Sequence, residues 1–356
     1  MKKFFLLVPV AALAMTACTS ESNEFVGDQK AQEISVKPLA QPSTRATAAI
    51  DGTTFPTDYN FFISAYAVDA NGDYFGKAEY KNETSNTWSG KDASNKQYWP
   101  LSPETLNFLA VTKSDADGSN TTFGTTGSNH ASKVVVNLGD NKTTQHDLMY
   151  SFARAAVTKS GNVLTYNSGN NVAMQFKHAQ AWVNFTVKAA NDATAGAGIV
   201  VTGIKLKGAV YTGTATVTLA NYNSKSSDLS HTLAWDGTAY DSASPADVDV
   251  PANKTTFSNV AVNSTSEIAA GDGLMIVPNP TKTGEVLNPS FSTFVVYYTL
   301  NGRSYEFEYT PTDAQKRMEP AHKYDFNITF TLTEIKVDAT VEDWTDADYA
   351  VAIPNV

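Results

Sequence analysis

A single cysteine among 356 residues excludes any internal disulfide, so the fold has to hold without covalent staples. Charged residues amount to only 17%, low for a cytosolic enzyme, and a formal net charge of -10 gives no electrostatic pull toward nucleic acid or an anionic membrane. Helical periodicity is missing after the first residues of the chain, and no short repeat of fixed period runs through it, which excludes propellers and solenoids.

Catalytic signals are equally scarce. The five histidines, His130, His146, His178, His231 and His322, are scattered, with no pair at i, i+4 and no His-Glu-x-x-His arrangement. There is no Gly-x-Ser-x-Gly elbow and no phosphate-cradling glycine loop. Asp69, Asn71 and Asp73 imitate the opening of a calcium loop, but Tyr80 stands where the closing glutamate belongs, so a hairpin turn is the better assignment, and Asp115-Ala116-Asp117-Gly118 is judged the same way. His178 falls on the apolar face of an alternating run and is expected to be a hydrogen-bonded core residue. No catalytic residue, metal ligand set or cofactor is expected, and the chain does not read as an enzyme.

What the chain does contain begins with an export signal. Lys2 and Lys3 give the positive start, Phe4 to Ala14 the apolar run, and Met15-Thr16-Ala17-Cys18 the small-residue cleavage site of a lipoprotein, with Met15 where leucine is usual. The run is too short to span a bilayer. Cys18 therefore has one evident use, as the lipid attachment point. A lone arginine, Arg45, then sits before Ala46 in the soft stretch Gln41-Pro42-Ser43-Thr44, which suggests a precursor tethered first and cut later. Thr19 to Arg45 is polar apart from the alternating piece Gln32, Ile34, Val36 ending at Pro38, either a tether or a detachable edge strand.

Thr, Asn, Ser, Gly and aromatic residues dominate the remainder, the set favoured in strands and turns. Period-two alternation recurs throughout: Val172, Met174, Phe176 and His178 share one face, as do Val183, Phe185 and Val187, then Tyr305, Phe307 and Tyr309, then Phe326, Ile328, Phe330 and Leu332. Strands with one buried and one wet face pack as antiparallel sandwiches. Turn signals lie between them, among them Asp69 to Asp73, Ala234 to Gly237 and Asn301-Gly302. The polar cluster Ser160 to Asn171 marks a domain join near Ser168, whereas Asn191 to Gly198 is assigned to a hairpin within the second domain.

Four motifs, in order, carry a family resemblance. Gln97-Tyr98-Trp99-Pro100 followed by Leu106 to Ala110, then His146-Asp147-Leu148-Met149-Tyr150, then Met174-Gln175-Phe176-Lys177-His178-Ala179, and finally Val341-Glu342-Asp343-Trp344 resemble the signature segments of the Bacteroidetes fimbrillin family. The resemblance implies a type V pilus subunit, all-β, with two transthyretin-like antiparallel β-sandwich domains in tandem: signal 1–18, propeptide 19–45, domains 46–168 and 169–334, and tail 335–356. It implies export as a lipoprotein to the outer membrane and cell surface, cleavage by a trypsin-like arginine-specific protease, for which Arg45 is the site, and loss of a strand carrying Ile34 and Val36. The partners would be other fimbrial subunits, of its own or another kind, with no nucleic acid. A C-terminal strand of the next subunit would fill the vacated groove by β-augmentation.

The donor has to be an alternating strand that its own domain can spare. Ile335, Val337, Ala339 and Val341 form one apolar face against Lys336, Asp338, Thr340 and Glu342, and a shorter run, Tyr349, Val351 and Ile353, follows. The competing assignment completes the second sandwich of a monomer. Another alternative is a lipoprotein retained on Cys18 that binds glycans through Trp88, Trp99, Trp182 and Trp235, or a fimbrial anchor that keeps its lipid. Asp241-Ser242-Ala243 resembles a short O-glycosylation site of exported proteins.

Overall fold

The computed structural model describes residues 31–40, 55–84, 86–113, 118–124, 130–138, 146–161, 163–166, 171–226, 229–236, 246–249, 260–263, 268–269, 273–278, 290–312 and 318–343. Cys18, Arg45, Ala46, Asp115, Asp117, the Asp241-Ser242-Ala243 triplet, Trp344 and the run from Tyr349 to Ile353 lie outside them. Ala31–Val356 forms one unit.

Within the described residues the chain is built of strands. The first five are β1 (Ser35–Ala40), β2 (Phe61–Ala67), β3 (Gly72–Thr84), β4 (Thr87–Gly90) and β5 (Glu104–Thr112). Then come β6 (Thr121–Phe123), β7 (Lys133–Leu138), β8 (Met149–Ser160), β9 (Val163–Tyr166) and β10 (Asn171–His178). The next six are β11 (Ala181–Ala189), β12 (Ile199–Ala209), β13 (Gly213–Ala220), β14 (Ser230–Trp235), β15 (Ala246–Asp249) and β16 (Val260–Ala261). The last are β17 (Ile268–Ala269), β18 (Leu274–Ile276), β19 (Thr293–Leu300), β20 (Arg303–Tyr309), β21 (His322–Phe330) and β22 (Ile335–Asp343).

The first sheet runs β10-β1-β4-β3-β2-β5-β8, with β9 on the outside of β8. It does not stop there. β8 pairs back onto β10 through Tyr150 with Lys177 and Met149 with His178, a two-residue ladder that closes the sheet into a barrel. Inside lie Phe61, Ile63, Phe108, Met174 and Phe176, all fully buried. β2 and β5 are buried along their whole length, so they lack the in-out alternation of β10. The cause is a second sheet, β14-β13-β7-β6, whose Val134, Val136, Val217 and Trp235 cover Phe62, Tyr66, Leu109 and Val111 on the barrel's outer face. β10, β13 and β14 all follow Ser168 in the chain, yet β10 completes the barrel and β13 pairs with β7.

The remaining strands make a second two-layer sandwich. β17-β11-β21-β22 faces β15-β12-β19-β20, and Phe185, Phe294 and Phe326 meet between the layers with ring centroids 4.9 to 5.5 Å apart. Asn301 and Gly302 join β19 to β20 with φ of 50° and 76°, the two-residue turn that matches strand twist. Asn191 to Gly198 differs from the hairpin expected there. Asn191 accepts a hydrogen bond from the Thr194 amide at 2.9 Å and caps a single helical turn, Asp192–Ala195, that carries the chain from β11 in one sheet to β12 in the other.

One buried cation ties the barrel to the β13–β14 hairpin. The Arg154 guanidinium on β8 donates to Asn107 Oδ1 at 2.8 Å and to the carbonyls of Ser224 at 2.7 Å, Lys225 at 3.0 Å and Ser226, while Lys225 pairs with Asp69. Arg154→Ala strips the donors from all four acceptors and should lower stability by roughly 2–4 kcal/mol, read as a fall in urea midpoint. A loss below about 0.5 kcal/mol, the range of ordinary surface substitutions, would show that the clamp is idle.

Candidate functional site at the β1 seam

Among the barrel strands, β1 differs in how it is held. It lies parallel to β10 from Ser35 opposite Asn171 to Ala40 opposite Phe176, and meets β4 antiparallel at Val36 opposite Trp88. Upstream, the Ile34 amide donates to Gln97 O and the Trp99 amide to Gln32 O, each at 2.8 Å, with Glu33 opposite Tyr98. In that register Pro38 falls beyond the start of β4, where its missing N–H forfeits no rung of the ladder.

Alternation decides what β1 contributes. Ile34, Val36 and Pro38 point inward and are buried, and Lys37 points to solvent. The slot that receives them is aromatic: the Phe55 ring lies 5.5 Å from Trp88 and 4.8 Å from Phe176, and Phe61 lies 5.2 Å from Phe176 and 5.8 Å from Tyr80. Two of its polar groups are paired. Trp88 Nε1 donates to Tyr59 O at 2.9 Å, and Tyr80 Oη donates to the Ile34 carbonyl at 3.1 Å, its phenol held protonated by burial. At the mouth of the slot Lys96 Nζ sits 3.1 Å from Glu33 Oε2, which holds the ammonium above its ordinary pKa.

The opposite edge of β10 is fixed by polar contacts. His178 Nδ1 lies 2.9 Å from Asp147 Oδ1, both buried, Thr112 Oγ1 donates to Asp147 O at 3.0 Å, and the Leu148 amide donates to Gln180 Oε1 at 2.9 Å. The His-Asp-Leu-Met-Tyr and Phe-Lys-His-Ala segments therefore lock β8 to β10. β1 itself is held by its ladders to β10 and β4, by the burial of Ile34, Val36 and Pro38, and by polar contacts at Glu33, Ile34 and Ser35.

The expected donor residues sit together on β22, the edge of its sheet, paired with β21 from Phe330 opposite Ile335 to His322 opposite Asp343. Ile335, Val337 and Ala339 pack half-buried on the second core, and Val341 is 51% exposed. Such a strand is attached to its own domain by one ladder and half a face.

Other residues singled out in the sequence do not gather into a site. Asp69 and Asp73 serve different partners, Asp69 the Thr105 amide at 2.9 Å and Lys225, Asp73 the amide and ring of His130 at 2.7 and 2.8 Å, while Asn71 turns the hairpin at φ 53°. Among the described residues no group of three His, Cys, Asp or Glu side chains could hold a metal. Trp88, Trp99, Trp182 and Trp235 are all buried, which corrects the idea of an exposed aromatic platform for sugars. Core packing claims them because an indole left in water forfeits too much apolar burial. The aromatic lining from Phe55, Phe61 and Tyr80 was not anticipated from the sequence, because these residues converge on β1 only after closure.

His231 has its own signature. Its Nε2 lies 2.8 Å from Tyr150 Oη, and burial followed by the charge of Lys177 pushes its pKa down to about 4. Burial also pushes the Tyr150 phenol up to about 12. A histidine neutral when folded takes up its proton first in the unfolded chain, so stability falls as pH drops from about 6.5 toward about 4. His231→Gln should flatten that stretch of a stability-against-pH curve; an unchanged slope would assign it to other groups.

The sequence profile described as "Fimbrillin-like" matches residues 44–344. No curated protein matches the chain. Among solved structures, a candidate cell adhesion protein from Bacteroides ovatus is similar at 16% identity with a TM-score of 0.50, covering 90% of this chain and 100% of that one. A fimbrial protein from Bacteroides vulgatus is similar at 14% identity with a TM-score of 0.49, covering 88% of this chain and 100% of that one.

Proposed function

Because this chain belongs to the fimbrillin-like family, we propose that it is a non-enzymatic structural subunit of a surface fimbria, assembled by exchange of β1 for a strand of the next subunit, with adhesion a property of the filament. The sequence is exported as a lipoprotein on Cys18, held at the outer membrane, and cut after Arg45 by a trypsin-like protease. Residues 19–45 then depart, and with them β1. The mature chain begins at Ala46 and keeps the tail 335–356.

One observation carries this: the segment upstream of Arg45 is a fully integrated strand of a closed barrel, so a cut there releases a structural member and not a loose end. Removing it uncovers an aromatic slot and leaves β10 with an unpaired edge, both of which an extended chain satisfies at once. β22 suits the slot. Ile335, Val337 and Ala339 are half-buried on their own domain; full burial gains roughly 1 kcal/mol for each large side chain, and a second ladder adds about 0.5–1.5 kcal/mol per hydrogen bond. Counted from solvent instead of from their half-buried state, Ile335 and Val337 alone contribute roughly 3 to 6 kcal/mol before ordering costs.

Arg45→Ala tests the maturation step. The variant should stay lipidated on Cys18 and unpolymerised, while the wild-type protein recovered from cells starts at Ala46 by mass spectrometry. A variant that still loses residues 19–45 and assembles would place the cut elsewhere. An acylated Cys18 on wild-type protein within filaments would instead favour an anchor subunit.

A further inference from the structure

Two segments at opposite ends of the described chain share a pattern that the exchange reading leaves unexplained. Glu33-Ile34-Ser35-Val36 leads into β1, and Glu334-Ile335-Lys336-Val337 leads into β22. In both, the Ile and Val turn toward a core and the residue between them turns away. We infer that the incoming strand is the β22 segment of a second copy of this chain, running in the same direction as β1, with Glu334 in the place of Glu33 and Ile335, Val337 and Ala339 in the places of Ile34, Val36 and Pro38. This rests on strand exchange as proposed above and specifies its partner, direction and register.

Three features of the seam favour that register. A shift of one residue would turn the apolar set out to solvent. Shifts by two would keep the faces but carry Glu334 away from Lys96, the lysine that pairs with Glu33 in the precursor. The third feature lies beyond the strand. The antiparallel run set by Glu33 opposite Tyr98 and the Trp99 amide on Gln32 O, extended by one residue, brings position 31 opposite Pro100, beside Leu101. Leu332 occupies position 31 in the inferred register. It is 66% exposed in the β21–β22 turn, and Leu101 is 61% exposed.

A reversed strand loses both contacts. It would set Glu334 and the β21–β22 turn at the far end of the slot, by Ala40 and Phe176, away from Lys96 and Leu101. Exposed Tyr98 and Leu101 lie at the end where β1 begins, so the two apolar patches cover one another only when the donor enters from there.

The register places Lys336 of one copy where Ser35 now faces Asn171. Full-length chain carrying Lys336→Cys and Asn171→Cys, expressed in cells that assemble it, should give a disulfide ladder at multiples of the mature mass on a non-reducing gel. Cys18, the one native cysteine, carries the lipid and leaves with the propeptide, so it does not confuse the pattern. Ladders that form with Ala173→Cys or Gln175→Cys in place of Asn171→Cys would preserve strand exchange and overturn the direction and register. Filaments that form with none of the three pairs linked would overturn both this inference and the exchange of β22, as would a wild-type chain that forms no polymer.

Discussion

Val337→Asp is expected to give a folded, soluble monomer that does not polymerise. In its own domain Val337 sits half-buried on an edge strand, where a carboxylate reaches water by a small shift, so the monomer should lose no more than about 1 kcal/mol. In the neighbour's slot the same position would take the place of Val36, which is fully buried beside the aromatic lining. An unpaired carboxylate there costs several kcal/mol or must take up a proton, a sum comparable with much of the joint's net stability. Electron microscopy and size-exclusion chromatography after cleavage read the outcome. Normal filaments from this variant would remove β22 from the joint, and a variant that fails to fold as a monomer would assign the strand to its own core.

The second large effect separates precursor from polymer. Val36→Asp puts the same charge into the closed barrel of the uncut chain, and the precursor should lose several kcal/mol and melt well below wild type. Once residues 19–45 are gone the substitution is gone too, so filaments built from the survivors should be as stable as wild type. Trp88→Ala behaves differently. Trp88 is fully buried in the lining and donates to Tyr59 O at 2.9 Å, and its loss should cost about 3–5 kcal/mol in precursor and filament alike. Denaturation of both forms of both variants checks this. A Val36→Asp filament weakened as much as its precursor would mean that β1 stays in the assembled subunit.

Much of this architecture was legible without coordinates. Val172, Met174 and Phe176 alternate in sequence and alternate in burial, because a strand's side chains must point to opposite faces whatever its partner. Asn301-Gly302 read as a tight turn since few other pairs tolerate two positive φ angles. β2 and β5 were harder, for burial on both faces erases the alternation that marks a strand. Asn191 to Gly198 looked like a hairpin because the same polar residues cap helices and fill turns.

Fold class and family follow from local patterning and from motifs read in order along the chain, and so do most strand faces, although Tyr305 and Leu332, which alternate with apolar neighbours, are exposed. Strand partners are a different matter, settled at the level of the packed core. Backbone ladders are chemically alike in every strand, so partner choice rests on how side chains from distant segments fill a common core. That is why the barrel closes through β1 lying parallel to β10, why β13 crosses over to β7, and why the aromatic slot around Ile34 and Val36 could not be drawn from the sequence around them.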